Sequence, residues 1–211
     1  MLIHEYMRDN FEGVTDLCII EVGAHIGTDT VKLSRFTKNG RLICFEPDPR
    51  NILELKRLQE KIKFELIEKA VGKVAGDCVF YQSFGKKPGL EREITDFSST
   101  KNPVGVVNRH PWSSFKTTAV EMTTLDEFCP SNDVSRIDLL WVDIQGGELD
   151  LVLGALETLR FTALFYFECM SYANRLYEGQ PNFQQMIDAL PNWRKWTVEI
   201  YSSTDILLRK S

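Results

Sequence analysis

Leu17-Cys-Ile-Ile-Glu-Val-Gly-Ala-His-Ile-Gly27 is a short apolar run that breaks into two glycines. Side chains on both alternations are apolar, so residues 17–22 predict a strand covered on both faces, as in a parallel sheet. Glycine at the turn lets the chain bend tightly and lets a ligand approach the main chain. A helix predicted over 28–36, closed by Asn39-Gly40, would offer unpaired N–H groups beside that turn.

The same alternation of apolar runs and helical periodicity repeats outward from this unit. Residues 41–46 predict a second strand, stopped by Pro47 and Pro49, and Ile52, Leu55, Leu58 and Ile62 share one face of a helix over 50–62. Residues 64–71 predict a third strand, and 78–82 a fourth that lies off the main sheet. Residues 117–123 alternate like a strand, and 124–128 predict one helical turn. Residues 137–143 predict another buried strand, followed by Gly146-Gly147 and a helix carrying Leu149, Val152, Leu153, Leu156 and Leu159. A strand over 163–168 comes next. Pro181-Asn182 then opens a helix with Phe183, Met186, Ile187 and Leu190 on its core face. Residues 196–201 and 206–209 predict a hairpin about a Ser-Ser-Thr-Asp turn. Strands separated by helices imply right-handed parallel crossovers. The expectation is one α/β domain over 1–211: a mostly parallel open sheet, helices on both faces, and an antiparallel C-terminal hairpin. Residues 83–115, rich in Gly and Pro, predict a long lid or acceptor loop.

Composition narrows the function classes. The chain has 211 residues, 43% hydrophobic and 26% charged, with a formal net charge of −5. That argues against nucleic acid and an anionic membrane as partners. The start lacks a basic segment before an apolar one, and no apolar run approaches the ~20 residues that span a bilayer. Five scattered cysteines without C-x-x-C predict reduced core thiols and a cytoplasmic protein.

In open α/β sheets ligands bind beyond the carboxyl ends of the strands, so the chemistry is sought there. Glu46, ending the second strand, is placed to accept hydrogen bonds from both hydroxyls of a ribose. Paired with the glycine turn, it predicts a nucleoside site of the kind shared by dinucleotide enzymes and S-adenosylmethionine (SAM) enzymes. Asp143 would lie over the same pocket, there to bind a donor's amino group, orient an acceptor or ligate a cation. Glu168 ends the next strand as a further acid, and two carboxylates across a cleft shift each other's pKa.

Five ordered blocks carry a resemblance. Ile19-Ile-Glu-Val-Gly-Ala-His-Ile-Gly27, Phe45-Glu-Pro-Asp-Pro49, Ala70-Val-Gly72 with Gly76 downstream, Thr123-Thr-Leu-Asp-Glu-Phe128 and Ile137-Asp-Leu-Leu-Trp-Val-Asp-Ile-Gln-Gly-Gly-Glu148 resemble the blocks of FkbM-type methyltransferases. The resemblance implies a class I, Rossmann-like, seven-stranded fold and SAM-dependent transfer of methyl to a hydroxyl of a sugar, glycan or other natural product. It implies Glu21 and Asp143 at the methionine end, Gly23, Ala24, His25, Ile26 and Gly27 in the cradle, and Glu46 on the ribose. Pro47 and Val71 would flank the adenine, and Ser98, Ser99 and Thr100 would line the lid side. Trp112 and Phe115 would cover it. Three features depart from the family pattern: Glu21 replaces an Asp, His25 stands where Asn is common, and Gln145 replaces an acid.

A hydroxyl acceptor has to lose a proton, and Asp143, then Glu168, then His110 are the candidate bases or orienters. Carboxylates at these strand ends would suit Mg²⁺, but a metal is not expected and its ligands are not readable. Two alternatives share part of the pattern. A nicotinamide-dependent sugar-modifying enzyme would more often show G-x-G-x-x-G, whereas the turn here is G-x-x-x-G, and no Tyr-x-x-x-Lys is present. A non-catalytic SAM-binding module would keep the cofactor residues and turn over no acceptor.

Overall fold

The computed structural model describes residues 3–89, 91, 93–169, 175–201 and 204–211. Its main sheet has seven strands in the order β3-β2-β1-β7-β8-β10-β9. The strands are β1 (Cys18–Val22), β2 (Arg41–Phe45), β3 (Glu65–Ile67), β7 (Ile137–Val142), β8 (Thr162–Glu168), β9 (Trp196–Tyr201) and β10 (Asp205–Lys210). The first five named are parallel neighbours, and β10 runs antiparallel to both β8 and β9. The chain runs outward from β1 through β2 to β3, then jumps back to lay β7 on the other side of β1. The switch point therefore falls between β1 and β7, where a crevice opens beyond the strand ends.

The apolar runs put one cluster on each face of the sheet. Ile20, Val22, Ile43, Phe45, Leu140 and Phe165 lie in the cluster that packs on α5 (Leu125–Ser131), α6 (Glu148–Leu153) and α7 (Phe183–Ala189). Ile19, Cys44, Leu139 and Trp141 join the opposite cluster with α1 (Ile3–Phe11), α2 (Thr28–Leu33) and α3 (Pro49–Gln59). Helix α1 has no counterpart in the sequence reading. Ile3, Tyr6 and Met7 form a short buried face at i, i+3, i+4. Side-chain N-caps open α3, α5 and α7: Asp48 accepts from Arg50 N–H, Thr124 from Glu127 N–H, and Asn182 forms a reciprocal capping box with Gln185.

Two predicted elements come out differently. The single strand expected over 64–71 is split. The last ladder bond on the main sheet is Glu46 N–H to Ile67 O, after which Ala70–Val71 (β4) turns away and pairs in parallel with β6 (Ser114–Thr123). Together with β5 (Gly76–Phe84) these form a separate three-stranded sheet, ordered β4-β6-β5. The helix after Gly146-Gly147 stops at Gly154, earlier than its apolar pattern suggests. A Cβ there would meet the Gly72 carbonyl oxygen at 2.1 Å, so the chain must pass close to β4 instead of continuing as helix.

The segment over 83–115 holds more structure than expected: β5 runs to Phe84, β6 begins at Ser114, and α4 (Val104–Arg109) lies between them. The expected Ser-Ser-Thr-Asp turn falls in part on residues 202 and 203, outside the described residues. All five cysteines are unbridged. Among the described residues no helix is long and apolar enough to cross a membrane.

Candidate active site

The tips of β1, β2 and β7 are tied together by main-chain bonds. Gly23 and Ala24 N–H both donate to Phe45 O at 3.0 Å, and Asp143 N–H donates to Val22 O at 3.0 Å. Gly23 has φ +90, and a Cβ on it would lie 1.9 Å from the Asp143 carbonyl oxygen. Only glycine fits that contact, so the first glycine of the turn is set by the approach of β7. Gly27 (φ +88) has another partner: its Cβ would strike Leu58 Cδ2 of α3 at 2.4 Å.

Beyond these tips lies a cavity of about 270 Å³, near the low end of the roughly 300–1,000 Å³ usual for small-molecule sites. Of the residues proposed from sequence, Glu21, Gly23, Ala24, His25, Glu46, Pro47, Val71, Ser98, Ser99, Thr100 and Asp143 line it. Ile26, Gly27, Glu168 and His110 do not, nor do Trp112 and Phe115, which were expected to cover it. Gly27 packs on α3 as described. His110 caps the end of α4 and stacks on Phe97 with ring centroids 5.0 Å apart. Glu168 ends β8 opposite Asp205. The serines are largely committed within the protein. Ser99 Oγ donates to Gln145 O at 2.8 Å, and Ser98 Oγ accepts from Ser83 N–H at 3.0 Å.

Glu46 is 4% exposed and is held by three donors. Its Oε2 accepts from His25 N–H at 2.8 Å; its Oε1 accepts from Asp48 N–H at 2.9 Å and from Asn51 Nδ2 at 3.1 Å. A carboxylate has about four acceptor sites, so these three donors leave one open. Asn51, Thr95, Phe80 and Ile144 also line the cavity and were not expected there. Thr95 Oγ1 donates to Asn51 Oδ1 at 2.9 Å and lies 2.6 Å from His25 Nε2. The hydroxyl's one proton is used on Asn51, so the imidazole must be the donor in the second bond. Glu46, Asn51, Thr95 and His25 therefore close a ring that ties the 95–100 segment over the cavity. Asp96 Oδ1, 3.1 Å from His25 Nε2, adds to it. Asn51 could have been suspected as a polar residue beside Ile52 on the core face of α3; Thr95 gave no sequence signal.

Glu21, Glu46 and Asp143 in this crevice, and Glu168 beside it, titrate high. Burial raises Glu21 and Glu46 to about 7, although Thr30 and Cys44 donate to the first and Asp48, Asn51 and His25 to the second. Burial raises Asp143 to about 6, opposed by a hydrogen bond from Gln145 and reinforced by Asp29, Asp205 and Asp96. Glu168 reaches about 8 through burial and the nearby Asp143, Glu148 and Asp205. Among the described residues no group of three or more His, Cys, Asp or Glu is arranged to hold a metal ion.

A sequence profile described as the methyltransferase FkbM domain matches residues 21–196. The chain belongs to the FkbM methyltransferase family. It is 30% identical over 181 residues to the 2-O-methyltransferase NoeI of Sinorhizobium fredii, a match covering 84% of this chain and 72% of that protein. Two solved structures share the fold. The FkbM methyltransferase of Methylobacillus flagellatus has TM-score 0.53 and 14% identity over 93% of this chain, and the match spans 44% of that longer protein. A precorrin-6y C5,15-methyltransferase of Geobacter metallireducens has TM-score 0.51 and 12% identity, covering 99% of this chain and 88% of that one. This FkbM methyltransferase is thus a SAM-dependent methyltransferase. The donor set of its cavity suits that cofactor. Carboxylates at Glu21 and Asp143 complement positive charge, Glu46 offers an acceptor for ribose hydroxyls, and Phe45, Val71, Phe80 and Ile144 give an apolar wall.

Proposed function

We propose that this FkbM methyltransferase transfers methyl to a hydroxyl of a sugar, glycan or similar natural product. The observation that carries the reading is the pair of carboxylates, Glu46 and Asp143, on two different strand tips of one cavity. Similarity to a protein named as a 2-O-methyltransferase supports oxygen as the acceptor atom. Glu46 would hold the ribose, and Glu21 and Asp143 would face the charged methionine end. Ala24, Gly23 and His25 would supply the main-chain wall, Pro47 and Val71 the adenine contacts, and Ser98 and Ser99 the lid side.

Bound SAM supplies a methyl already activated on a sulfonium. The protein's part is positioning, which is worth roughly 7–11 kcal/mol when reacting atoms are held in line, and removal of the hydroxyl proton. Asp143 lines the cavity and is the best-placed proton acceptor. Glu168, outside the cavity but electrostatically linked to Asp143, is the second choice. His110, in its aromatic stack on Phe97, is the third. A positioned base contributes about 10²–10⁴-fold, so Asp143→Asn should lower turnover at saturating SAM by at least that order. The test is transfer of labelled methyl from SAM to a panel of glycan and natural-product alcohols. Label in an alcohol oxygen supports the reading; label only in amines or nucleic acid contradicts it.

A further inference from the structure

Gln145 follows Asp143 by two residues and sits in a conformation rare for a side-chain-bearing residue, φ +55. Three contacts hold it there. Its backbone oxygen accepts from Ser99 Oγ at 2.8 Å, its Nε2 donates to Asp143 Oδ1 at 2.7 Å, and its Oε1 accepts from the Tyr177 hydroxyl at 3.0 Å. Tyr177 is 3% exposed and lies against Gly146, where an added Cβ would come within 2.8 Å of the tyrosine Cβ.

The orientation of the amide follows from donor counting. An ionised carboxylate only accepts, so the NH₂ end must face Asp143. The carbonyl end then faces Tyr177 and has to be met by its O–H. The phenol therefore locks the amide against flipping, and the amide locks the carboxylate. Asp143 needs such a partner. Asp29, Asp96 and Asp205 push its proton affinity up, Glu148 and Glu168 stand in the same electrostatic neighbourhood, and Tyr166 and Tyr177 are neutral there. An ionised acid in the same place and rotamer would set two acceptors 2.7 Å apart, with no proton between them.

We propose that Gln145, locked by Tyr177, is a positioning residue that keeps Asp143 ionised and aimed for accepting the hydroxyl proton. This rests on the reading of Asp143 given under the proposed function. Ser99, through its bond to Gln145 O, attaches the same device to the 97–99 segment, while Phe97 O, 3.2 Å from the Tyr177 hydroxyl, is the more distant competitor for the one phenolic proton that Gln145 Oε1 takes at 3.0 Å.

The test is a ¹³C-carboxyl NMR titration of the full chain, with the Asp143 signal assigned by its loss in Asp143→Asn. The Asp143 midpoint is expected near 6 in the unaltered protein. Losing a hydrogen bond to the charged form should move it up by about one to two pH units in Gln145→Leu. Tyr177→Phe removes only the lock and should move it the same way by less. Midpoints unchanged in both variants overturn the proposal. If Gln145→Leu does not fold, Tyr177→Phe decides alone: an upward shift supports the lock and no shift overturns it. SAM binding by the unaltered protein, measured in parallel, separates the two claims. No binding refutes the cofactor reading, whereas binding without a shift refutes only the role of Gln145.

Discussion

Gly23 and Glu46 show at single-residue scale how the site is built and how much of it the sequence reveals. Gly23 sits where a Cβ would lie 1.9 Å from the Asp143 carbonyl, at φ +90. Gly23→Ala adds a strained conformation, about 1–3 kcal/mol, to overpacking of about 1–3 kcal/mol. A loss of about 2–6 kcal/mol in denaturant unfolding is expected, and a loss under ~1 kcal/mol would mean the strand tips do not meet as described. Glu46 was legible because an acid at a strand end beside a glycine turn has a chemical meaning. Its partners were not, since Asn51 and Thr95 matter only through where α3 and the 95–100 segment fold back. Gly27 was placed in the cradle by its position in the glycine turn and by the family resemblance. Spacing does not tell a glycine that meets a ligand from one that meets Leu58.

At the scale of elements, the strands and helices around the switch point were readable because each is a continuous apolar run or a clear helical face. Helix α1 and the β3/β4 split were not. The first is short, and only contact with the sheet reveals its buried face. The second depends on a partner, β6, 52 residues away by register. The 95–100 segment is the element whose behaviour is most specifically predicted. Thr95→Val keeps the shape but removes the hydroxyl that joins Asn51 to His25. Two bonds at about 0.5–1.5 kcal/mol each are lost. Hydrogen exchange at 95–100 should speed up by roughly 5-fold to 150-fold, with the sheet amides unchanged. Unaltered exchange there would show that the ring does not hold the segment down.

Over the whole molecule, Glu21, Glu46, Asp143, Glu148 and Glu168 all titrate above their ordinary values, chiefly through burial. Each folded pKa exceeds the unfolded one, so the native state holds protons that the unfolded chain has released. Their contribution is complete below about pH 4 and is lost as pH rises through about 6 to 8. Asp48 and Glu65, held low mainly by arginine partners, act in the opposite sense at acid pH. The ligand-free protein should therefore melt at lower temperature at pH 8 than at pH 6; a melting point that rises over that interval would contradict the assigned charges. Cofactor that brings positive charge to Glu21 and Asp143 should reduce the difference. The account as a whole rests on a nucleoside gripped at Glu46 between the tips of β1 and β2. Calorimetric titration of SAM and of S-adenosylhomocysteine into the wild-type protein and into Glu46→Ala tests it most directly. One site per chain for each ligand is predicted, with affinity lower by about 10-fold to 150-fold in the variant, the equivalent of ~1.5–3 kcal/mol. Absence of binding to the wild type, or equal affinity in the two proteins, would contradict it.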